Sequence, residues 1–469
     1  MIRELHNKLI NKEISAKELA EQYLDKIKES DLNAFITTTQ EDALADAQNV
    51  DSQIAQGHEL PILAGIPASI KDVIQTAGVR TTAGSKILDN YIAPYNATLV
   101  QRLKDAGLVL LGKNNCDEFA MGGSNENSAY GPVKNPHNKE CVPGGSSGGS
   151  AASVADGLVV YSIGTDTGGS VRQPAALCGI VGFKPTYGAI SRYGLIAMAS
   201  SLDQAGILAK SVEDVKIVFD AIKGRDKMDS TSLNIPDSKF QIPDSNLKGI
   251  KIGVPKEYFI KGIDPEIESA VKDTIKQAEE AGAKIVEVSL PHTKYALAVY
   301  YIIMPAEVSA NLARYDGIRY GQSEPAKNLF KTYTQTRAQH LGDEVKRRIM
   351  LGTYTLSAGY YDAYYKKAQQ VRTLIKQDFE KVFKEADLLI TPTTPNPAWK
   401  IGEKIDDPLT MYLEDIFTVP VNVASLPAMS IPAGKTKNGL PIGAQLIGPW
   451  NSEENLFTVG EILEKEINF

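Results

Sequence analysis

The segment VPGGSSGGSAASVADG, residues 142–157, sets the tightest limit on what this chain can become. Two Gly-Gly pairs bracket Ser146 and Ser147, and glycine at that density lets a backbone take positive φ and approach a ligand closely. A phosphate cradle is one reading, but a Walker A loop needs a lysine followed by Ser or Thr after its last glycine, and here Ser150-Ala151-Ala152 follows. A flexible surface linker is another, yet the segment runs straight into an alanine-rich helix pattern and an apolar strand.

A second glycine cluster follows in LVVYSIGTDTGGSVRQPAALCG, residues 158–179. The spacing predicts a strand ending at Thr165-Asp166, a tight turn at Thr167-Gly168-Gly169 and a helix opening near Ser170, with Pro174 tolerated in its early turns. Such a turn presents unpaired backbone N–H groups beside a hydroxyl. Acyl transfer requires that combination: a serine nucleophile with donors aimed where negative charge develops. An isolated Gly-Gly-Ser is more often an ordinary helix cap, so the turn alone decides nothing.

A serine nucleophile needs a base. The five histidines, His6, His58, His137, His292 and His340, lie in surface or turn contexts. Lys71 is different, because GIPASIKDVIQ places it inside an otherwise apolar strand pattern. Burial depresses a lysine pKa, and the neutral amine can then accept a proton. A lysine that snorkels or pairs with Asp72 is the competing reading.

Charge and composition exclude whole classes. With 50 basic and 57 acidic residues the formal charge is −7, which argues against autonomous nucleic-acid binding, since phosphate recognition needs a cation surplus. Three scattered cysteines, Cys116, Cys141 and Cys178, suit neither a disulfide scaffold nor a thiolate metal site, and point to a reducing, cytoplasmic setting. The amphipathic first 30 residues lack a signal peptide's apolar core. The uncharged run Ile416 to Gly434 contains Pro420, Pro427 and Pro432, so it reads as buried loop and strand instead of a membrane span.

At about 150 residues per domain, 469 residues allow three domains, with one large α/β domain an equal contender. The pattern divides into a helical segment over 1–60, an alternating strand-helix core over 60–210, a polar surface connection at 224–247, a largely helical insertion over 248–385 and a return to strands over 386–469.

Together, Lys71 in its strand, GGSSGGS at 144–150 and DTGGS at 166–170 resemble the amidase signature family, and the resemblance runs over nearly the whole chain. It implies an α/β fold with a large twisted mixed sheet covered by helices on both faces. It also implies a Ser–cis-Ser–Lys triad of Ser170 as nucleophile, Ser146 as bridge after a cis peptide from Gly145, and Lys71 as base. The backbone N–H groups of Thr167, Gly168, Gly169 and Ser170 would form the oxyanion hole.

The segments MGGSNENSAYGPVKNP at 121–136, MPAEVSANLARYDGIRYG at 304–321 and IDDPLTMYLEDIFTVPVNVASLP at 405–427 are similar to a narrower branch, the glutaminase subunits of three-subunit, tRNA-dependent amidotransferases. That resemblance implies glutamine as substrate, no metal or cofactor in this chain, and two partners, the B and C subunits of the assembly. ATP, Mg and the tRNA would be held by the B subunit. It assigns Arg348 to the substrate α-carboxylate, Asp415 to the α-ammonium and Tyr301 to the pocket wall. Whether Arg347 or Arg348, and Tyr300 or Tyr301, faces the pocket stays open, and the basic stretch 346–348 also suits a solvated helix face. A free-standing amidase for small amides using the same triad is the alternative; a catalytically idle scaffold is less compatible with Lys71, Ser146 and Ser170 all being present.

Overall fold

A computed structural model describes residues 1–235 and 246–467. The expected surface connection at 224–247 therefore lies partly outside the described residues. Eleven strands form a single mixed sheet: β1 Phe35–Thr38, β2 Pro67–Lys71, β3 Val109–Asn114, β4 Tyr161–Asp166, β5 Val181–Lys184, β6 Gln204–Ala209, β7 Lys251–Pro255, β8 Lys284–Val288, β9 Leu388–Pro392, β10 Ala428–Lys435 and β11 Pro441–Ile447. Their order is β1-β3-β2-β4-β6-β5-β10-β11-β9-β7-β8. The strands β2 to β6, β9 and β11 are buried along their whole length.

The N-terminal segment forms three helices, Ile2–Ile10, Ala16–Glu29 and Gln40–Ala55. Ser15 opens the second with a capping box: its hydroxyl accepts the Glu18 N–H while the Glu18 carboxylate accepts the Ser15 N–H. The segment is not helix alone. Its β-prone run Phe35-Ile36-Thr37-Thr38 becomes β1, antiparallel to β3 at one edge of the sheet. The insertion similarly contributes β7 and β8 to the opposite edge, parallel to each other.

Three pairings position the chemistry. The central strands β3, β2 and β4 are parallel, with Ser69 opposite Ser162 and Ile70 opposite Ile163. Their carboxyl ends thus fall at one rim, where Lys71 ends β2 and Asp166 ends β4. The helix Gly148–Ala155 packs on this part of the sheet and carries the glycine-serine loop to the same rim. The uncharged run at 416–434 becomes the short helix Val419–Val423 and most of β10. Among the described residues, Thr293–Arg314 is long and apolar enough to cross a membrane, but half of it is buried inside the fold, and it contains Pro305.

Candidate active site

Lys71 is completely buried, and its Nζ donates to Ser146 Oγ at 2.7 Å and Ser147 Oγ at 2.9 Å. Among the described residues no carboxylate forms an ion pair with it; Asp72 turns away to Lys113, at 3.3 Å, and to Thr82. Burial brings the Lys71 ammonium down to about 8, against the attraction of Asp117, Asp166 and Asp203. The result is an amine that loses its proton near neutrality and is hydrogen-bonded to two hydroxyls. The Gly145–Ser146 peptide is cis. Gln173 Oε1 accepts the Gly145 N–H at 2.9 Å, and the Ser147 N–H donates to the Ser170 carbonyl at 3.1 Å, so the two glycine loops are tied to each other.

The second loop is held from beneath by Asp166. One carboxylate oxygen accepts the Gly169 N–H at 2.9 Å, Arg172 Nη2 at 2.9 Å and Asn422 Nδ2 at 2.9 Å, while the other accepts Arg172 Nε at 3.0 Å and the Val171 N–H at 3.2 Å. Burial raises the carboxyl pKa, but Arg172 outweighs it and holds Asp166 at about 2. The helix starts at Arg172, two residues later than the sequence pattern predicts, because the turn is spent on wrapping this carboxylate. Arg172 reaches onward to the Thr418 carbonyl and to Gln445 on β11.

This cage corrects one expectation. The Gly169 N–H is already committed to Asp166, so it is not a free oxyanion donor. The N–H groups of Thr167, Gly168 and Ser170 have no partner among the described residues. Side chains fix the turn around them: Thr167 Oγ1 donates to Asp203 at 2.7 Å, and Thr418 Oγ1 donates to the Gly168 carbonyl at 2.7 Å. Two glycines are sterically required here. A Cβ at Gly168 would sit 2.8 Å from the Tyr300 ring, and one at Gly169, whose φ is +141°, would sit 2.2 Å from Thr418 Oγ1. The Ser170 hydroxyl is half-buried and unpartnered among the described residues.

Farther out, the adjacent residues have different surroundings. Arg348 has a side chain only 4% exposed, whereas Arg347 is 41% exposed. Tyr300 packs on Gly168, while Tyr301 lies 5.6 Å from the Arg348 guanidinium and stacks on Tyr412 at 4.0 Å. Consecutive residues of the helix Ala296–Asn311 thus serve different parts of one site. Asp415 is close enough to Arg348 for their charges to interact. Burial pushes its carboxyl well above the ordinary range, and Arg348 opposes this. Beside Arg348 opens a cavity of about 450 Å³ that also contacts Ser124, Glu344, Arg347, Lys404 and Tyr412. Lys71, Ser146 and Ser170 do not line it.

Sequence reasoning assigned no role to Ser147, Asp166, Glu344 or Tyr412 and left Tyr300 as an alternative to Tyr301. Only Glu344 left a readable signal, three and four residues before the paired arginines on one helix. Three of the five histidines are engaged elsewhere: His137 faces the Cys178 carbonyl, His292 pairs with Asp378 and His340 with Glu324. Among the described residues there is no cluster of metal-ligating side chains.

The profile of the Amidase family matches residues 18–457. A protein of Carboxydothermus hydrogenoformans, the A subunit of a glutamyl-tRNA(Gln) amidotransferase, is 56% identical, the match covering all of this chain and 97% of the relative. A protein of the same name from Koribacter versatilis is 55% identical, over 97% of this chain and 95% of its own length. Among solved structures, the glutamyl-tRNA(Gln) amidotransferase A subunit from Thermotoga maritima superposes with a TM-score of 0.81 at 43% identity, over 97% of this chain and 92% of its own. A peptide amidase from Stenotrophomonas maltophilia superposes with a TM-score of 0.84 at 30% identity, over 99% and 96%.

Proposed function

Because the chain belongs to the amidase family, we propose that it is the glutamine-hydrolysing subunit of a tRNA-dependent amidotransferase. The observation that carries the chemistry is the buried Lys71 amine bonded to Ser146 and Ser147, next to a turn with unpaired N–H groups. The specific assignment to an amidotransferase rests on full-length relatives at 55–56% identity and on the paired Arg348 and Asp415, which suit a zwitterionic amide.

Ser170 Oγ attacks the glutamine side-chain amide carbon. Its proton passes through Ser146 to neutral Lys71. The N–H groups of Thr167, Gly168 and Ser170 stabilise the tetrahedral oxyanion. Collapse breaks the C–N bond; the nitrogen takes the proton back from Lys71 through Ser146 and leaves as ammonia. A γ-glutamyl ester remains on Ser170. Water attacks that ester, Lys71 accepts its proton by the same route, and Ser170 is reprotonated as glutamate departs.

Arg348 grips the substrate α-carboxylate and Asp415 the α-ammonium, whose positive charge favours the ionised form of this buried carboxyl. The ammonia passes to the B subunit of a heterotrimer that this chain forms with B and C subunits in the cytoplasm. There ATP and Mg activate the carboxylate of a misacylated tRNA, and the tRNA is held by that partner and not by this acidic chain.

The test is ammonia release from glutamine by the purified chain, alone and co-expressed with its partners, with ATP and misacylated tRNA. Turnover that is stimulated in the complex and lost in Ser170→Ala is the expected result. Hydrolysis of simple amides in preference to glutamine, indifferent to partners and tRNA, would overturn the amidotransferase assignment and leave a free-standing amidase.

A further inference from the structure

Glu344 is a nearly buried carboxylate that the chemistry above does not use, and three donors converge on it. Arg348 Nε donates to Oε1 at 2.7 Å, the Tyr412 hydroxyl donates to the same oxygen at 2.8 Å, and Arg347 Nη1 donates to Oε2. Burial raises the carboxyl pKa, yet Arg348 and the hydrogen bonds more than reverse this, so Glu344 stays ionised. Its contacts determine what Arg348 can offer. With Nε engaged by Glu344 and Nη1 lying 3.6 Å from Met304 Sδ, the guanidinium cannot turn about its last torsion without breaking an ionic hydrogen bond. Nη2 has no hydrogen-bond partner among the described residues, which leaves the outer edge of the fork for a ligand.

The Tyr412 bond links two separate pieces of chain. Glu344 and Arg348 lie on the helix Asp343–Thr355, whereas Tyr412 lies on the helix Pro408–Leu413, three residues before Asp415. The bond from Tyr412 to Glu344 is therefore a strut between the elements bearing the two charged ends of the pocket.

We propose that Glu344, with Tyr412, is a positioning residue that orients Arg348 and sets its spacing from Asp415, so that the site selects an amide bearing both an α-carboxylate and an α-ammonium. This rests on the assignment of Arg348 to the substrate carboxylate. An arginine immobilised in advance by such a tether loses less rotamer freedom when the substrate binds, and we expect the tether to be worth roughly tenfold in substrate affinity.

The test compares Glu344→Gln and Tyr412→Phe, which keep side-chain volume, in the co-expressed enzyme. The probes are glutamine and 4-aminobutanamide, which is glutamine without its α-carboxylate. The expected result is a rise of about tenfold in KM for glutamine with a much smaller change in kcat, exceeding the effect on 4-aminobutanamide by a similar factor. In an Arg348→Ala background, Glu344→Gln should add nothing further, because Glu344 acts through that arginine. Equal losses on both amides, or full additivity with Arg348→Ala, would overturn the proposal. If Arg348→Ala itself fails to discriminate between the two amides, the carboxylate assignment falls; if it discriminates and the Glu344 and Tyr412 variants do not, only the positioning role falls.

Discussion

Replacing Lys71 by methionine should make the protein inactive and, at neutral pH, more stable. Lys71 is held at about 8 inside the fold, against 10.5 for an ordinary lysine. The folded state thus binds this proton less tightly than the unfolded state does. The stability cost of Lys71 is at its full size below about pH 8 and disappears as pH rises through the window from about 8 to 10.5. At 1.36 kcal/mol per pKa unit, the deficit at pH 7 is about 3 kcal/mol, shrinking to about 1 kcal/mol at pH 9.5.

Methionine removes the titrating group at similar length but leaves the Ser146 and Ser147 hydroxyls with one partner fewer, which costs about 1–3 kcal/mol at any pH. The absolute gain at neutral pH is therefore modest, while its pH dependence is not. Urea unfolding of Lys71→Met and the parent, compared at pH 7 and 9.5, should show the variant's relative stability falling by about 2 kcal/mol over that interval. A difference that does not change with pH would refute a depressed Lys71 pKa, and with it the neutral base. Activity gives the independent check: kcat/KM of the parent should rise about tenfold from pH 7 to 9 as the amine is deprotonated.

Three further outcomes follow from the site. Arg348→Ala should raise KM for glutamine and for glutaramate, which keeps the α-carboxylate, by about 10- to 100-fold while sparing 4-aminobutanamide, whereas Asp415→Asn should penalise glutamine and 4-aminobutanamide more than glutaramate; steady-state ammonia release reads both. Gly168→Ala should lower kcat by about 100-fold, because its methyl meets the Tyr300 ring 2.8 Å away and displaces an oxyanion donor, and pairing it with Tyr300→Ala should recover part of the loss. Asp166→Asn should cost about 3–5 kcal/mol in thermal or urea unfolding, since it leaves the buried Arg172 charge without its counter-ion.

The catalytic loops are legible in the sequence because their chemistry depends on backbone freedom, and glycine is the residue that records it. The strand β2 is readable for a different reason: Lys71 follows the uncharged run Pro67-Ala68-Ser69-Ile70 in a fully buried strand. What stays hidden depends on direction. Tyr300 and Tyr301 are neighbours in sequence but project about 100° apart on a helix, one onto Gly168 and the other onto Arg348, and no local pattern distinguishes them. The hydroxyls of Ser146 and Ser147 are equally alike until the fold brings both within reach of Lys71. The strand β1 merges into a helical reading because four residues are too short to show a period. Gly169 looks like an oxyanion donor in sequence because nothing in DTGGS shows that the Asp166 carboxylate folds back to accept the Gly169 N–H.

The brace under the catalytic turn has a consequence in time. Lys71, Ser146 and Ser170 have all left the ribosome when well under half of the chain has been made, yet Arg172 still lacks the Thr418 carbonyl, Asn422 and Gln445. At roughly 5–20 residues per second, some tens of seconds can pass between synthesis of the last triad member and arrival of the last of these partners. During that interval the nascent chain contains Lys71, Ser146 and Ser170 without the contacts from Thr418, Asn422 and Gln445 that brace Arg172 under the turn. The turn that opens in the first half of the chain is therefore braced only once the C-terminal strands and the Val419–Val423 helix have been made.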